Sequence, residues 1–476
     1  MGQVDGPNVQ DLVALVPELI LVVMALVLML AARRIREGQW AFAGTVLAGS
    51  AAVLAAAWAP SSEAHTGFGG MLAVDGYSQF FKVLIGAILI LVALVSTGRR
   101  GAGRAPRGEY HVLLLLAAVG MMFAGSAADL IPLYLSLELI TICSFILVGI
   151  RVDKPTSNEA AIKYFLVGSF ASALLLFGIS LTYGLTGTTN YADIAAALTE
   201  AGGVSQPFLL VAIGLIAAGL AFKIAAVPFH AWAPDAYQGA SAPVAAFLAA
   251  GSKAAGMAAL GRVFWVAFGS EARTLSIILV GLAALSIVVG SIVIVSQTNM
   301  RRLLAYSSIA HAGYALLGLI SGTPEGVAAT MTYVFFYVFM TLGAFGVVIA
   351  LGERGETLDG FTGLAAQRPG IAALMLLFLL SLTGIPPTAG FAAKFVVITS
   401  AVQADQIALA VLAVGCSVIT AFVYMRVAVL MYMKEPEAPA PAPLPLAVSA
   451  ALAVAALVIL VGGIFPGSLA PWVVAP

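Results

Sequence analysis

Long apolar stretches follow one another along almost all of this 476-residue chain. A helix needs about 20 apolar residues to cross the hydrocarbon of a bilayer. Inside lipid every backbone polar group must find an internal partner, so a chain of such stretches can fold only as packed helices. We read fourteen crossings, over 11–32, 40–59, 74–97, 110–126, 129–150, 160–186, 207–230, 241–268, 274–295, 303–321, 327–351, 370–400, 405–432 and 445–466. The expected fold class is an all-α polytopic membrane protein with about 14 transmembrane helices. With 62% hydrophobic and 9% charged residues, the chain is far from the roughly 25% charge of a soluble domain.

The basic residues orient these crossings. No basic residue precedes the first stretch, and Arg33, Arg34 and Arg36 follow it directly. That pattern reads as a retained span inserted N-terminus outward, not as a cleaved signal. The inward connections then hold Arg33, Arg34, Arg36, Arg99, Arg100, Arg104, Arg107, Arg151, Lys154, Arg301, Arg302, Arg354, Arg368 and Lys434, whereas the outward ones hold only Arg273. A miscounted helix in the middle would scramble this ratio, so both termini are expected on the outer side. Three connections are long. The outward 186–206 carries Tyr191, Ile194 and Leu198 at helical spacing and predicts a small surface helix. The inward 352–369 is the second. The Ala/Pro tract 436–445 predicts an extended spacer before a final span without charges.

Several function classes drop out. Net charge is zero and no basic stripe is present, so no nucleic-acid partner is expected. Cys143 and Cys416 are two thiols where an iron–sulfur cluster needs about four, and they read as packing residues. No glycine-rich nucleotide loop and no metal-spaced His or Cys cluster occurs. No cofactor or metal is therefore expected on this chain, and any energy source must lie in a partner.

Against this apolar background a few charges stand out. A charge near the bilayer centre costs at least about 2.5–3.5 kcal/mol on insertion scales, and such residues usually line an ion or proton path. Glu138 lies in the middle of its span, about 12 Å deep at 1.5 Å per residue. It is either neutralised and bonded to a backbone carbonyl or held ionised by a Lys on a neighbouring helix. Lys223 precedes Pro228, which removes a helical hydrogen bond and clashes with the carbonyl of Ile224. The freed carbonyls of that break, together with water, are expected to solvate the ammonium. Lys394 follows the break formed by Gly384, Pro386, Pro387 and Gly390. Two interrupted helices, each with a nearby Lys, are the pattern of inverted-repeat transporters. Lys253 sits among Ala and Gly residues that leave room for water, and His311 titrates near neutrality without help. His230 reads as structural. Lys163, one turn from Glu159, reads as a surface pair or an inward point of proton uptake. Lys82, Arg262 and Arg426 are expected to snorkel from span ends, and Asp75 and Asp129 to start helices.

The expected division is 1–109 for the first three helices, 110–268 for a first repeat of helices 4–8, 269–433 for an inverted repeat of helices 9–13, and 434–476 for the linker and last helix. Helices 7 and 12 are the broken ones.

These residues carry a resemblance. The segment from Lys223 through Pro228-Phe-His-Ala-Trp-Ala-Pro-Asp-Ala-Tyr-Gln-Gly-Ala240 resembles the seventh-span signature of the antiporter-like subunits of respiratory complex I, the proton-pumping NADH–quinone oxidoreductase. Tyr306-Ser-Ser-Ile-Ala-His-Ala-Gly-Tyr314 and Gly384-Ile-Pro-Pro-Thr-Ala-Gly-Phe-Ala-Ala-Lys-Phe395 are similar to that family as well, and the likeness covers essentially the whole chain. Two features set the chain apart from siblings. Subunit M typically has Glu where this chain has Lys394, and subunit L has a long lateral helix for which a chain ending at Pro476 leaves no room. Multisubunit sodium–proton antiporters share the fold and are the nearest alternative; a stand-alone secondary transporter is a further one.

The resemblance implies a proton pathway of Glu138, Lys223, Lys253, His311 and Lys394. Glu138 and Lys223 would be the coupled pair, Lys253 the relay, His311 part of the central polar axis and Lys394 the outward exit. It implies a non-redox translocase subunit whose complex holds NADH, FMN, iron–sulfur clusters and quinone in other subunits. The partners would be other antiporter-like and small membrane-arm subunits in the cell inner (cytoplasmic) membrane, with both termini on the periplasmic side.

Overall fold

A computed structural model of the chain describes residues 9–31, 38–58, 64–97, 107–200, 206–436 and 439–476. Six basic residues of the expected inward loops, Arg33, Arg34, Arg36, Arg99, Arg100 and Arg104, lie outside the described residues.

Among the described residues, 11 helices are long and apolar enough to cross a membrane. The other three expected crossings fall on shorter or more polar helices. Val16–Ala31 has 16 residues. Met300–Leu319 carries Arg301, Arg302 and His311, which lower its hydropathy. The twelfth expected span is divided into Pro369–Thr383 and Ala389–Gln403, of 15 residues each. Among the described residues, 11 of the fourteen expected crossings therefore have the length and composition of a full span.

Side-chain size sorts the helices into centre and periphery. The Ala242–Ala267 span, rich in Ala and Gly, is buried along its whole length, and Pro324–Leu351 is nearly so. Small side chains let neighbouring backbones approach closely, which is how helices associate when lipid supplies no hydrophobic drive. By contrast Pro155–Thr186 exposes Ile162, Phe165, Leu166, Phe170 and Phe177, an apolar face suited to acyl chains. The central Ala242–Ala267 span is not a uniform α-helix. π-helical turns at Leu248–Ser252 and Val263–Ala267 bracket an α-helical stretch, Lys253–Arg262. Such turns interrupt the regular ladder and recur at functional sites.

One small element departs from an all-α architecture. His65–Gly67 pairs antiparallel with Leu72–Val74, with His65 opposite Val74. The hairpin leans on the end of the Arg107–Ser126 helix through a bridge between Leu72 and Ala127. The 186–206 connection does contain the surface helix, Tyr191–Glu200, with Tyr191 and Ile194 buried beneath it. In the Ala/Pro tract, residues 439–445 form no regular structure. Arg354 donates to the Pro439 carbonyl at 2.9 Å and Arg368 to the Pro441 carbonyl at 2.7 Å, so the spacer is strapped to the 352–369 connection. That connection folds into 3₁₀ turns at Gly352–Glu356 and Asp359–Phe361.

Two expected snorkelling residues, Lys82 and Arg262, are instead buried and paired, while Arg426 stays part-buried near its span end. Lys82 meets Glu18 at 2.9 Å and donates to the Ala14 carbonyl at 2.6 Å. Arg262 holds Asp75 through two nitrogens at 2.7 and 2.8 Å and donates to the Gly125 carbonyl at 3.0 Å. Arg426 donates to the Gln297 carbonyl at 2.7 Å. Packed helices offer carboxylates and carbonyls nearer than the membrane surface does, so the Lys82 and Arg262 head groups turn inward. Asp75 and Asp129 cap the Gly76–Ser96 and Leu130–Val148 helices as expected.

Candidate functional site

Both broken helices end in the same way. Gln206–Ile224 stops four residues before Pro228. Ala225 turns to a φ of 56°. Its N–H reaches the Phe222 carbonyl at 3.0 Å, and the Ala226 N–H reaches the Ala221 carbonyl at 2.8 Å. Pro369–Thr383 repeats this pattern. Gly384 has a φ of 88°. Its N–H reaches the Ser381 carbonyl at 3.0 Å, and the Ile385 N–H reaches the Leu380 carbonyl at 3.1 Å. Each is a paired 5→2 and 6→1 closure around a left-handed residue, which satisfies the last carbonyls of a helix. Each break also contains a cis X–Pro bond, Val227–Pro228 and Pro386–Pro387.

The two lysines use these breaks differently. Lys394 donates to the carbonyl of Thr383, the last residue before its break, at 2.9 Å, and to the Ser417 hydroxyl at 3.1 Å. Its ammonium also stands 4.5 Å from the centre of the Tyr314 ring, within the range of a cation–π contact. Lys223 does not bond the carbonyls freed at its own break, contrary to expectation. The Trp232 indole takes the Phe222 carbonyl at 3.1 Å and the Ser252 hydroxyl takes the Lys223 carbonyl at 3.3 Å. The Lys223 ammonium crosses instead to the Leu130–Val148 helix, donating to the Leu137 carbonyl at 3.2 Å and to the Thr141 hydroxyl.

Glu138 lies on that same helix, yet no ion pair joins it to Lys223 among the described residues. The two groups implied to be coupled are thus near one another without a direct ion pair in this structure. Leu137 and Thr141, four residues apart, share the helix face toward Lys223. Glu138 projects about 100° round from Leu137, at 3.6 residues per turn. Its carboxylate accepts from the Ser172 hydroxyl on Pro155–Thr186.

The other candidates gather round Met300–Leu319. Lys253 donates to the Ser308 carbonyl at 2.6 Å. One turn further on, His311 Nδ1 lies 2.7 Å from the Tyr333 hydroxyl, with the rings of Tyr314 and Tyr337 on either side. Tyr337 donates to the Ala249 carbonyl in the π-turn before Lys253 at 3.1 Å. Tyr314 meets Ser417 at 2.8 Å, and Ser417 in turn receives Lys394. Lys253, His311 and Lys394 thus belong to one buried polar cluster round Met300–Leu319, in which ring contacts bring His311 beside the Tyr314–Ser417–Lys394 group. Lys223 adjoins it, since a Cβ placed on Gly256 would stand 3.2 Å from Lys223 Cγ.

His230 is only half buried, on the loop between the break and the Trp232–Gly239 helix. Lys163 pairs with Glu159 at 2.7 Å and with Asp235 at 3.3 Å. Asp235 also takes Arg302 at 2.6 Å. These residues line a polar cavity of about 400 Å³ with Gln238, Arg301 and Glu356. Thr141, Ser172, Ser417, Tyr333 and Tyr337 were not singled out by the sequence, whereas Tyr314 closes the Tyr306–Tyr314 motif. An isolated hydroxyl in an apolar span is ordinary, and only the fold aims these at charges.

The fold matches known proteins. Residues 127–420 match the family model described as NADH:quinone oxidoreductase/Mrp antiporter, TM. NADH-quinone oxidoreductase subunit N of Desulfovibrio desulfuricans is 45% identical over 494 aligned positions, covering 98% of this chain and 97% of that one. A chain of respiratory complex I from Thermus thermophilus, solved with bound aureothin, is 33% identical, with a TM-score of 0.82 and 96% and 98% coverage. A chain of the Mrp complex from Dietzia sp. shares the fold at 23% identity, with a TM-score of 0.81 and 97% and 96% coverage. A buried chain of lysines and hydroxyls across a helical membrane protein, matched over nearly its full length, leads to one assignment: the chain belongs to the NADH:quinone oxidoreductase/Mrp antiporter family of membrane subunits, as a subunit N member.

Proposed function

We propose that this chain translocates protons as a membrane-arm subunit of NADH–quinone oxidoreductase and carries no redox centre of its own. The observation that carries this reading is the buried series of Lys223, Lys253 and Lys394, of which the last two gather with Ser308, His311, Tyr314 and Ser417 round the Met300–Leu319 helix. Three cations at membrane depth are costly unless they serve a charge path. Hydroxyls and imidazoles between them both donate and accept, so they can pass a proton without leaving a buried group unpaired.

In this reading NADH, FMN, iron–sulfur clusters and quinone belong to other subunits of the complex, and quinone reduction there disturbs Glu138. A carboxylate brought to 4 Å from Lys223 at an effective dielectric of 20 interacts by about 4 kcal/mol. Drawing Glu138 away drives the Lys223 proton toward Lys253, and from there past His311 to Lys394 and the outer phase. The parts divide as 1–109, 110–268, 269–433 and 434–476. The middle two are inverted repeats, each with one broken helix. The chain sits in the inner (cytoplasmic) membrane with both termini outward. It contacts antiporter-like and small membrane-arm subunits.

Lys223→Ala tests this in the assembled complex reconstituted into vesicles. Proton pumping per electron should be abolished; unchanged pumping with normal assembly would sink the proposal.

A further inference from the structure

We propose that Ser172 and Thr141 are positioning residues that hold Glu138 and Lys223 apart, so that the pair has a built-in open state. The inference rests on the proton route proposed above and adds to it the groups that set the pair's geometry.

Two charges of opposite sign lie on adjoining helices in an apolar surround, and nothing would keep them apart unless each had another partner. Each has one. The Glu138 carboxylate accepts from the Ser172 hydroxyl. The Lys223 ammonium donates to the Thr141 hydroxyl and to the Leu137 carbonyl. The two acceptors of Lys223 thus lie within one turn of Glu138 on its own helix, and the donor to Glu138 comes from the neighbouring Pro155–Thr186 helix. Hydrogen bonds to charged groups are among the stronger ones in proteins, and together they are comparable with the ion pair they replace. The arrangement is also asymmetric. Thr141 is buried with Lys223 in the interior, whereas Ser172 and Glu138 are both only part-buried. Ser172 lies on Pro155–Thr186, the helix with the least buried surface of the long spans. A disturbance arriving from outside the chain meets the Ser172–Glu138 bond first. Breaking that bond frees the carboxylate to turn about its helix toward Lys223, with no change in the backbone of either helix.

The test is Ser172→Ala in the assembled complex, with Ser172→Thr as the conservative partner. Without the hydroxyl, Glu138 should swing within ion-pair distance of Lys223, visible in an experimental structure of the variant complex. Protons pumped per electron should fall several-fold. Ser172→Thr should restore both, because it keeps a hydroxyl at that position. Thr141→Val should shift Glu138 in the same direction by removing the competing partner of Lys223. A merely structural role would lower assembly without altering the ratio of protons to electrons. If Ser172→Ala leaves the Glu138 side chain against position 172 and the ratio unchanged, the proposal is overturned. Lys223→Ala separates the two readings. Should it abolish pumping while Ser172→Ala has no effect, only the positioning role falls; should it pump normally, the route itself falls.

Discussion

The Lys253 ammonium donates to the backbone carbonyl of Ser308 at 2.6 Å, one helical turn before His311. A lysine on the most deeply buried span is thus held against the helix that carries the only histidine inside the polar chain, and not against a carboxylate. A carbonyl partner stabilises the charged ammonium but holds no counter-charge, so the proton is not locked in place by an ion pair.

Lys253→Met should therefore interrupt transfer between Lys223 and Lys394 while filling the same apolar volume. We expect proton pumping to be lost in vesicles containing the assembled complex. The measurement is the proton gradient per NADH oxidised, and retention of the wild-type ratio would refute the relay role.

Tyr333→Phe removes the partner of His311 Nδ1 at 2.7 Å. A buried polar group left unpaired costs about 1–3 kcal/mol. The thermal transition of the purified complex should drop, and pumping should slow more than electron transfer does. Equal slowing of both would point to a packing defect alone.

Gly384 has a φ of 88°, and a Cβ there would lie 2.9 Å from Cδ of Lys394. Gly384→Ala should thus strain the turn by about 1–2 kcal/mol and push the lysine off the Thr383 carbonyl. Ala225→Gly, at the corresponding turn of the first break, should stabilise by relieving the same strain in reverse. Denaturation of the two variants side by side checks the opposite signs.

Arg262 and Asp75 form a two-point pair with little exposure. Removing one partner of a buried pair costs about 3–5 kcal/mol, whereas replacing both by apolar residues is often neutral. Arg262→Leu should impair assembly of the subunit, and adding Asp75→Leu should recover much of it. Levels of assembled complex in membranes give the answer; a double variant no better than the single one would show that the Gly125 hydrogen bond of Arg262 and its seat 4.8 Å over the Tyr77 ring matter more than the ion pair.

Much of this protein is legible from its residues. Apolar run length and the Lys/Arg bias of the loops bound the class and the helix sequence, because transfer into lipid is paid per residue and needs no knowledge of neighbours. The breaks were legible for a similar reason. Pro228 acts on the carbonyl of Ile224 through local sterics, and the Gln206–Ile224 helix does end there. The surface helix Tyr191–Glu200 followed from helical spacing alone. The hairpin at His65–Gly67 and Leu72–Val74 did not, since strands of three residues leave no periodicity to read.

Partner choice is what only the tertiary structure decided. The sequence by itself determined that Glu138, Lys223, Lys253 and Lys394 lie at membrane depth beside apolar neighbours, because depth is counted along one chain. It left open which group each head would meet. Lys82 and Arg262 turned inward where snorkelling was expected, and Glu138 bonds Ser172 while Lys223 bonds Thr141. A long side chain reaches several surfaces of a helix bundle, and small differences in crossing geometry select among them. That selection belongs to packed helices in three dimensions, and it gives each buried charge its particular partner.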